Sequence, residues 1–305
     1  MNAHIGFKLD ARPSEDVIPL ARAVEQAGFD ELWVCEDLGL AGGVAQAAAA
    51  LAVTSRLHVG LGIAPAAVRN AAYLAMEFSS LSRASNNRFH AGIGHGMPAW
   101  LDQVGQLPDS LMICLREVTE SVAHLMLGES VTYRGKHVEL DEVKLLHPPL
   151  EDLRISLGVR GPKGIALAKD LDRGVILAEG SPPEYVAAVR DALGPKAHIT
   201  VFVWFNLDPD DGTRGTEQLR TTVRQALKKP YLAAQLGDLH GASSEDEALP
   251  LLTVSGDTQT CRAAIGRLIA SGADSIVLQP ILGQEEQQIA VAGAHLLTGK
   301  RDAGA

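Results

Sequence analysis

The sequence predicts a (β/α)8 barrel of the TIM type, an α/β fold, on three observations. Short β-type runs alternate with helical patterns along nearly the whole chain, which implies parallel strands joined by helical crossovers. Eight such runs can be counted, centred near residues 5, 33, 60, 91, 156, 176, 202 and 277. No GxGxxG fingerprint follows the first run, where "GFKLDARPS" stands instead, so a doubly wound dinucleotide-binding sheet is disfavoured.

The elements follow in order. "HIGFKL" (4–9) is the first strand. In "SEDVIPLARAVEQAG", Val17, Ile18, Leu20, Ala21, Val24 and Ala27 recur at helical spacing, with Ser14 expected as N-cap and Gly28 as the stop. "ELWVCE", "LHVGLGIA" and "RFHAGIGHG" read as strands, separated by the helices "GGVAQAAAALAVTS" and "NAAYLAMEFSSLSR". After the helix "SLMICLREVTESVAHLMLG", two short alternating runs around "RGK" predict a hairpin-like insertion near 128–150. The alternation resumes with "LRISLGV", "GIALAKDL", "GVILAEG", "PEYVAAVRDALG" and "HITVFVWFNL". A helical region from Gly215 to Glu247, broken at Pro230 and by "GDLHGASSED", gives a second insertion near 229–250. The helix "TQTCRAAIGRLIASG", the strand "ADSIVLQPI" and the helix "EEQQIAVAGAHLL" close the barrel. The expected organisation is one domain over 1–300 with a disordered tail at 301–305.

Composition bounds the function. With 46% apolar residues a sizeable core can be buried, and a net charge of -10 without basic stripes argues against nucleic acid as partner. Cys35, Cys114 and Cys261 are widely spaced, with no CxxC pair, so neither a disulfide framework nor a zinc site is indicated and a reducing cytoplasm fits. No export signal or long apolar run is seen, so a soluble protein with no membrane partner is expected.

In such barrels chemistry gathers at the carboxyl ends of the strands. After strand two come Glu36 and Asp37, of which at most one is expected to point into the barrel mouth. "GLGIAPA", with Gly62, Ile63 and Ala64, suggests either a bulge approached by a ligand or a corner bend. In "GIGHGMPAW", His95 stands between Gly94 and Gly96, without acidic or cysteine partners at metal-ligand spacing, so no metal is expected. "RGPKG", Arg160, Gly161, Pro162, Lys163 and Gly164, opens a helix whose unpaired amides and two cations could hold a phosphate, or is only a βα turn. Glu179 and Gln279 follow the sixth and eighth runs, and Lys8 is the one lysine at a strand end that could serve a Schiff-base chemistry.

Taken in order, "AGFDELWVCEDL", "RLHVGLGIAPAAVRNAAYLAMEFSSLSR", "NRFHAGIGHG", "GVRGPKGIALAKDLDRGVIL" and "ASGADSIVLQPI" resemble the bacterial luciferase-like superfamily. Within it the chain is similar to the deazaflavin branch related to methylenetetrahydromethanopterin reductase. The resemblance implies a TIM barrel that binds coenzyme F-420 at its C-terminal mouth, with a non-prolyl cis peptide near Gly62 and Ile63 behind the ring. It assigns the cofactor phosphate to the loop Arg160–Gly164, and contacts to Glu36, Gly62, Ile63, Ala64, Gly94, Gly96 and Glu179. Asp37 or His95 would donate or accept the proton. Two departures stand out: Asp37 replaces the histidine of an Asp-His pair, and Met97 stands where the family's sugar-phosphate dehydrogenases place a glutamate. The implied activity is hydride exchange between F-420 and a small organic substrate by a homodimer. The alternatives are an FMN-dependent monooxygenase using oxygen and a non-catalytic flavin-binding protein.

Overall fold

The computed structural model describes residues 3–240 and 244–297. The 301–305 tail and residues 241–243 of the second insertion lie outside them.

Strands β1 (His4–Lys8), β2 (Glu31–Val34), β3 (His58–Pro65) and β4 (Phe89–Gly94) pair in parallel in that order. A two-stranded hairpin, β5 (Val131–Arg134) and β6 (Glu139–Val143), then stands apart from the sheet. The sheet continues through β7 (Ile155–Gly158), β8 (Gly174–Leu177) and β9 (Ile199–Leu207), and closes when β11 (Ser275–Pro280) bridges β9 to β1. The eight positions expected from the sequence fall in these eight barrel strands. A further short strand, β10 (Thr253–Gly256), was not foreseen; it pairs with the far end of β9, at Trp204 to Leu207, beyond where β8 stops.

The helices form because their apolar residues recur on the face turned to the sheet. In α1 (Val17–Ala27), Val17, Leu20, Ala21, Val24 and Ala27 are buried, and Gly28 at φ 95° ends the helix in the left-handed conformation that glycine adopts without cost. Ser14 does not cap this helix. It begins a 3-10 turn, Ser14–Asp16, after Pro13, and the α-helix starts only at Val17. Alanines let α2 (Gly43–Val53) lie close on the barrel, with Ala47 and Ala50 fully buried. The helix α3 (Ala71–Ala84) is capped by Asn70, whose side chain accepts from the Ala72 amide at 2.9 Å.

A short helix, α4 (Pro98–Gln103), precedes α5 (Leu111–Met126). From α5, the Glu117 carboxylate accepts the amides of Lys136, His137 and Val138 at 2.7, 2.6 and 3.0 Å, which ties down the hairpin turn. The remaining βα units supply α6 (Gly161–Asp170) and α7 (Pro183–Leu193). The region after β9 folds as short helices α8 (Gly212–Glu217), α9 (Arg220–Leu227), α10 (Ala233–Leu236) and α11 (Leu249–Leu252), with a small apolar core of its own around Val223, Leu232 and Leu252. Last come α12 (Thr258–Ala270) and α13 (Glu285–His295). Among the described residues no helix is long and apolar enough to cross a membrane.

Candidate active site

Alternate side chains along a strand face opposite sides, so each barrel strand sends one set inward and one outward. Phe7, Leu32, Val59, Ala91, Leu157 and Leu278 point outward into the large core beneath the helices. Trp33, Ile176, Phe202 and Val277 form a separate apolar cluster inside the barrel, with Cys35 and Ile63 packed on it. Trp33 fills the facing space so closely that a Cβ on Gly60 would stand 2.4 Å from its ring, which only glycine avoids. This central layer divides the interior into two polar ends.

At the C-terminal end, Lys8 is 7% exposed. Its ammonium donates to Glu179 Oε1 at 2.9 Å and to Gln279 Oε1 at 3.1 Å, with Asp10 Oδ1 at 3.8 Å and the Phe202 ring centroid at 5.3 Å. Burial disfavours its charge, but the neighbouring anions outweigh burial and raise its pKa, so Lys8 is a fixed cation. Burial likewise pushes Glu179 upward, and Lys8 reverses this and holds it ionised. The Cys35 thiol is pushed by burial up to about 12 and is neutral at physiological pH.

Asp37 is half-buried beside this group, and its carboxyl accepts no hydrogen bond among the described residues. Burial raises its pKa, Lys8 opposes, and Asp10 and Glu179 add to the rise. Its neighbour Glu36 is placed differently: Arg69 clasps its carboxylate, with Nη1 to Oε2 at 2.7 Å, and reaches Glu77 at 3.0 Å.

The exit of β3 is irregular. The β3–β4 register shifts between Leu61 and Ala64, and the Gly62–Ile63 peptide is cis. The Ile63 side chain lies across the ends of β4 and β7: a Cβ on Gly94 would come within 2.8 Å of it, and one on Gly158 within 2.5 Å. Ala64 is fully buried. On β4's exit, the His95 Nδ1 lies 2.6 Å from the Gly96 carbonyl. That contact requires a proton on Nδ1, so in the neutral ring Nε2 is an acceptor.

The loop after β7 runs into α6. Arg160 precedes the helix, and Gly161, at φ 71°, needs the freedom of glycine. The Gly161 amide donates to Tyr185 Oη at 3.3 Å and Pro162 has none, which leaves the amides of Lys163 and Gly164 for an anion. The Arg160 guanidinium sits 5.3 Å from the ring of Tyr231, and Lys229 Nζ 5.8 Å from the same ring, so the second insertion leans on this loop. From α10, Gln235 Nε2 donates to the Glu179 carbonyl at 2.9 Å.

The structure therefore joins Asp37 and Glu179 in one electrostatic cluster, sets Gly94 against Ile63, and places Arg160 to Gly164 at the next helix start. Glu36 is committed to Arg69. Sequence reasoning missed Asp10, Tyr185 and Tyr231, and gave Lys8 and Gln279 no shared role. The period-two pattern that puts Lys8 and Gln279 on the inward face was the available signal; the tyrosines, far along the chain, had none.

A closed parallel barrel with polar groups collected at its C-terminal strand ends defines the broad class. The chain belongs to the luciferase-like monooxygenase family, whose sequence model matches residues 4–198. It is 24% identical over 324 residues to the 5,10-methylenetetrahydromethanopterin reductase of Methanolobus tindarius, an alignment covering 95% of this chain and 99% of that protein. It is similar in fold to the coenzyme F-420 dependent tetrahydromethanopterin reductase from Methanopyrus kandleri, with a TM-score of 0.83 and 19% identity over 99% of this chain and 100% of that one. It is also similar in fold to an FMN-containing type II Baeyer-Villiger monooxygenase component from Pseudomonas putida, with a TM-score of 0.74 and 16% identity over 99% and 98% of the two chains.

Proposed function

We propose that this protein is an oxidoreductase that exchanges hydride between coenzyme F-420 and a small organic substrate. The observation that carries the reading is the Ile63 platform: an apolar side chain spread over two glycines, bordered by the Lys8–Glu179–Gln279 cluster and by the basic start of α6. A flat ring with a polar edge and an attached phosphate fits that arrangement. The near full-length likeness to a methylenetetrahydromethanopterin reductase supports it independently.

The residues fit such a group on structural grounds, since Cβ atoms on Gly94 and Gly158 would drive into Ile63 and spoil the platform. Ile63 and Ala64 would back the ring, Gly94 and Gly96 leave it room, and Arg160, Lys163 and the amides of Lys163 and Gly164 would hold the phosphate. The deazaflavin, when bound, supplies a two-electron hydride carrier. The chain supplies position and protons. Asp37, its pKa raised by burial and its carboxyl unpartnered, is placed to exchange a proton with the substrate, and His95 Nε2 is the second site able to take one. Lys8 keeps a fixed positive charge at the mouth, with Glu179 and Gln279 orienting it. In the same reading the enzyme works in the cytoplasm as a homodimer, with Tyr73 and Met76, 66% and 52% exposed on α3, on the apolar face available for pairing.

Titration of the purified protein with F-420 and with FMN, followed by absorbance and fluorescence, tests the reading. Tighter binding of F-420, weakened about tenfold or more in an Arg160→Ala/Lys163→Ala variant, is the expected result. Tight FMN binding with none for F-420 would replace it by the monooxygenase alternative.

A further inference from the structure

The opposite, N-terminal end of the barrel holds a cavity of about 450 Å3 that the coenzyme reading does not use. Its walls come from the first residues of β2, β3, β4, β7 and β8 and from the approach to β9. The chain carries a net charge of -10, yet Arg154, Arg173 and Lys196 converge on this opening. Their side chains make no hydrogen bond or ion pair among the described residues. Nearby cations behave otherwise: Arg88 is spent on the carbonyls of Leu51, Thr54 and Leu57, and Arg190 on Asp274 and the Gly272 carbonyl.

Three imidazoles line the same cavity: His58, His90 and His198. Burial, with Arg154 nearby, keeps all three below the ordinary histidine range, so they stand neutral with one N–H each. His90 is 4% exposed; its Nε2 meets Ser156 Oγ at 2.9 Å, while its buried Nδ1 has no partner. A buried ring nitrogen left unpaired is costly, so His90 has a hydrogen bond to gain from a ligand against which its ring turns.

The carboxylates present do not fill the site. Glu31, at its floor, accepts from Trp33 Nε1 at 2.7 Å and Ser275 Oγ at 2.8 Å, and meets His4 Nδ1 at 3.0 Å. Asp152 and Asp172 are exposed at the rim, as are Arg154 and Lys196, so water screens both signs there; what separates the cations is that none of the three is held by an ion pair among the described residues. Phe89, Leu153 and Ile155 add an apolar wall, and the volume is that of a small-molecule pocket rather than of a bare ion.

We propose that the N-terminal mouth of the barrel is a second ligand site, for a small organic oxyanion whose head group sits among Arg154, Arg173 and Lys196 with His90 at the deep end. A phosphate ester and a carboxylate share this chemistry. The site is independent of what the opposite mouth binds.

The test uses the full chain at constant ionic strength, with ribose 5-phosphate and citrate as probes and calorimetric titration as the readout. Saturable binding of either probe is expected. Ribose 5-phosphate alone would mark a phosphate-ester site, citrate alone a carboxylate site. Affinity should fall about tenfold or more in Arg154→Ala and in Lys196→Ala, and stay unchanged in Arg160→Ala/Lys163→Ala, whose cations lie at the other mouth. In parallel, the His90 ring nitrogen resonances of the wild-type protein should move on probe addition, a readout that needs no variant. Absence of binding by both probes, affinity unaltered by loss of Arg154 and Lys196, or binding lost with Arg160 and Lys163 would each overturn the proposal.

Discussion

Replacing Glu31 by glutamine should lower stability near neutral pH by about 3 kcal/mol, and the loss should fade in acid. Burial alone would raise the Glu31 pKa, but the hydrogen-bond donors His4 and Trp33 bring it down to about 2 from an ordinary 4.5. That difference converts to about 3 kcal/mol in favour of the folded state. Because the folded pKa is depressed, the stabilisation is fully present above the unfolded value and is lost as pH falls through the folded one. The wild-type advantage should be about 3 kcal/mol near pH 7, about half of that or less near pH 3, and absent once pH is below about 2. For a chain of 305 residues this corresponds to a melting point about 5 °C lower for the variant near neutral pH. The raised pKa of His4 is the same interaction seen from its partner and adds no second increment. Thermal and urea melts of both proteins across pH 3 to 7 measure this. Equal stability at pH 7, or a deficit that stays constant down to pH 3, would refute the assignment of Glu31 as a net stabilising buried charge.

Two further outcomes concern the C-terminal mouth. Lys8→Met should leave Glu179 as a buried carboxylate without its cation, so that the proposed hydride exchange with F-420 falls at least about a hundredfold; steady-state kinetics showing near wild-type kcat would remove Lys8 from the site. Asp37→Asn should reduce kcat and abolish the basic limb of the pH profile, because the acid form of a carboxyl raised by burial is lost as pH rises through its pKa; an unchanged profile would assign the proton to another group, with His95 next to be substituted.

The barrel was legible because alternation of period-two and helical patterns is a property of whole segments, and each of the eight expected runs lies in one barrel strand. What escaped was short or dependent on distant partners. β10 is only Thr253–Gly256 and gains its pairing from the free end of β9, while α4 spans six residues behind a proline at its start. Ser14 looked like a cap because serine commonly is one; Pro13 before it and the 3-10 turn it opens moved the helix start to Val17. The cis Gly62–Ile63 peptide came from the family resemblance, since "GLGI" by spacing alone allowed a bulge or a bend. The choice between Glu36 and Asp37 needed Arg69, thirty-three residues beyond Glu36, to be brought against it.

The interior of the barrel carries more sequence information than the strand count. Taking every second residue gives His4, Gly6, Lys8; Glu31, Trp33, Cys35; His58, Gly60, Gly62; His90, Gly92, Gly94; and Ser275, Val277, Gln279. In each triplet the first residue is polar, the middle one is glycine or apolar, and the last lies at the C-terminal mouth. Among the middle positions, Gly6 and Gly60 leave room for Trp33 and Gly92 for Ile176, and the edge-on contact of the Trp33 and Phe202 rings, centroids 5.4 Å apart, closes the waist. A closed waist makes the two mouths separate chemical compartments. The hydrogen-bonded run from His198 through Ser275 to Glu31 ends on the Trp33 indole, and the Lys8 cluster begins on the other side of Phe202. Charge placed in one compartment is therefore separated from the other by the packed rings of Trp33 and Phe202, and the hydrogen bond from the Trp33 indole to Glu31 belongs to the N-terminal side of that waist.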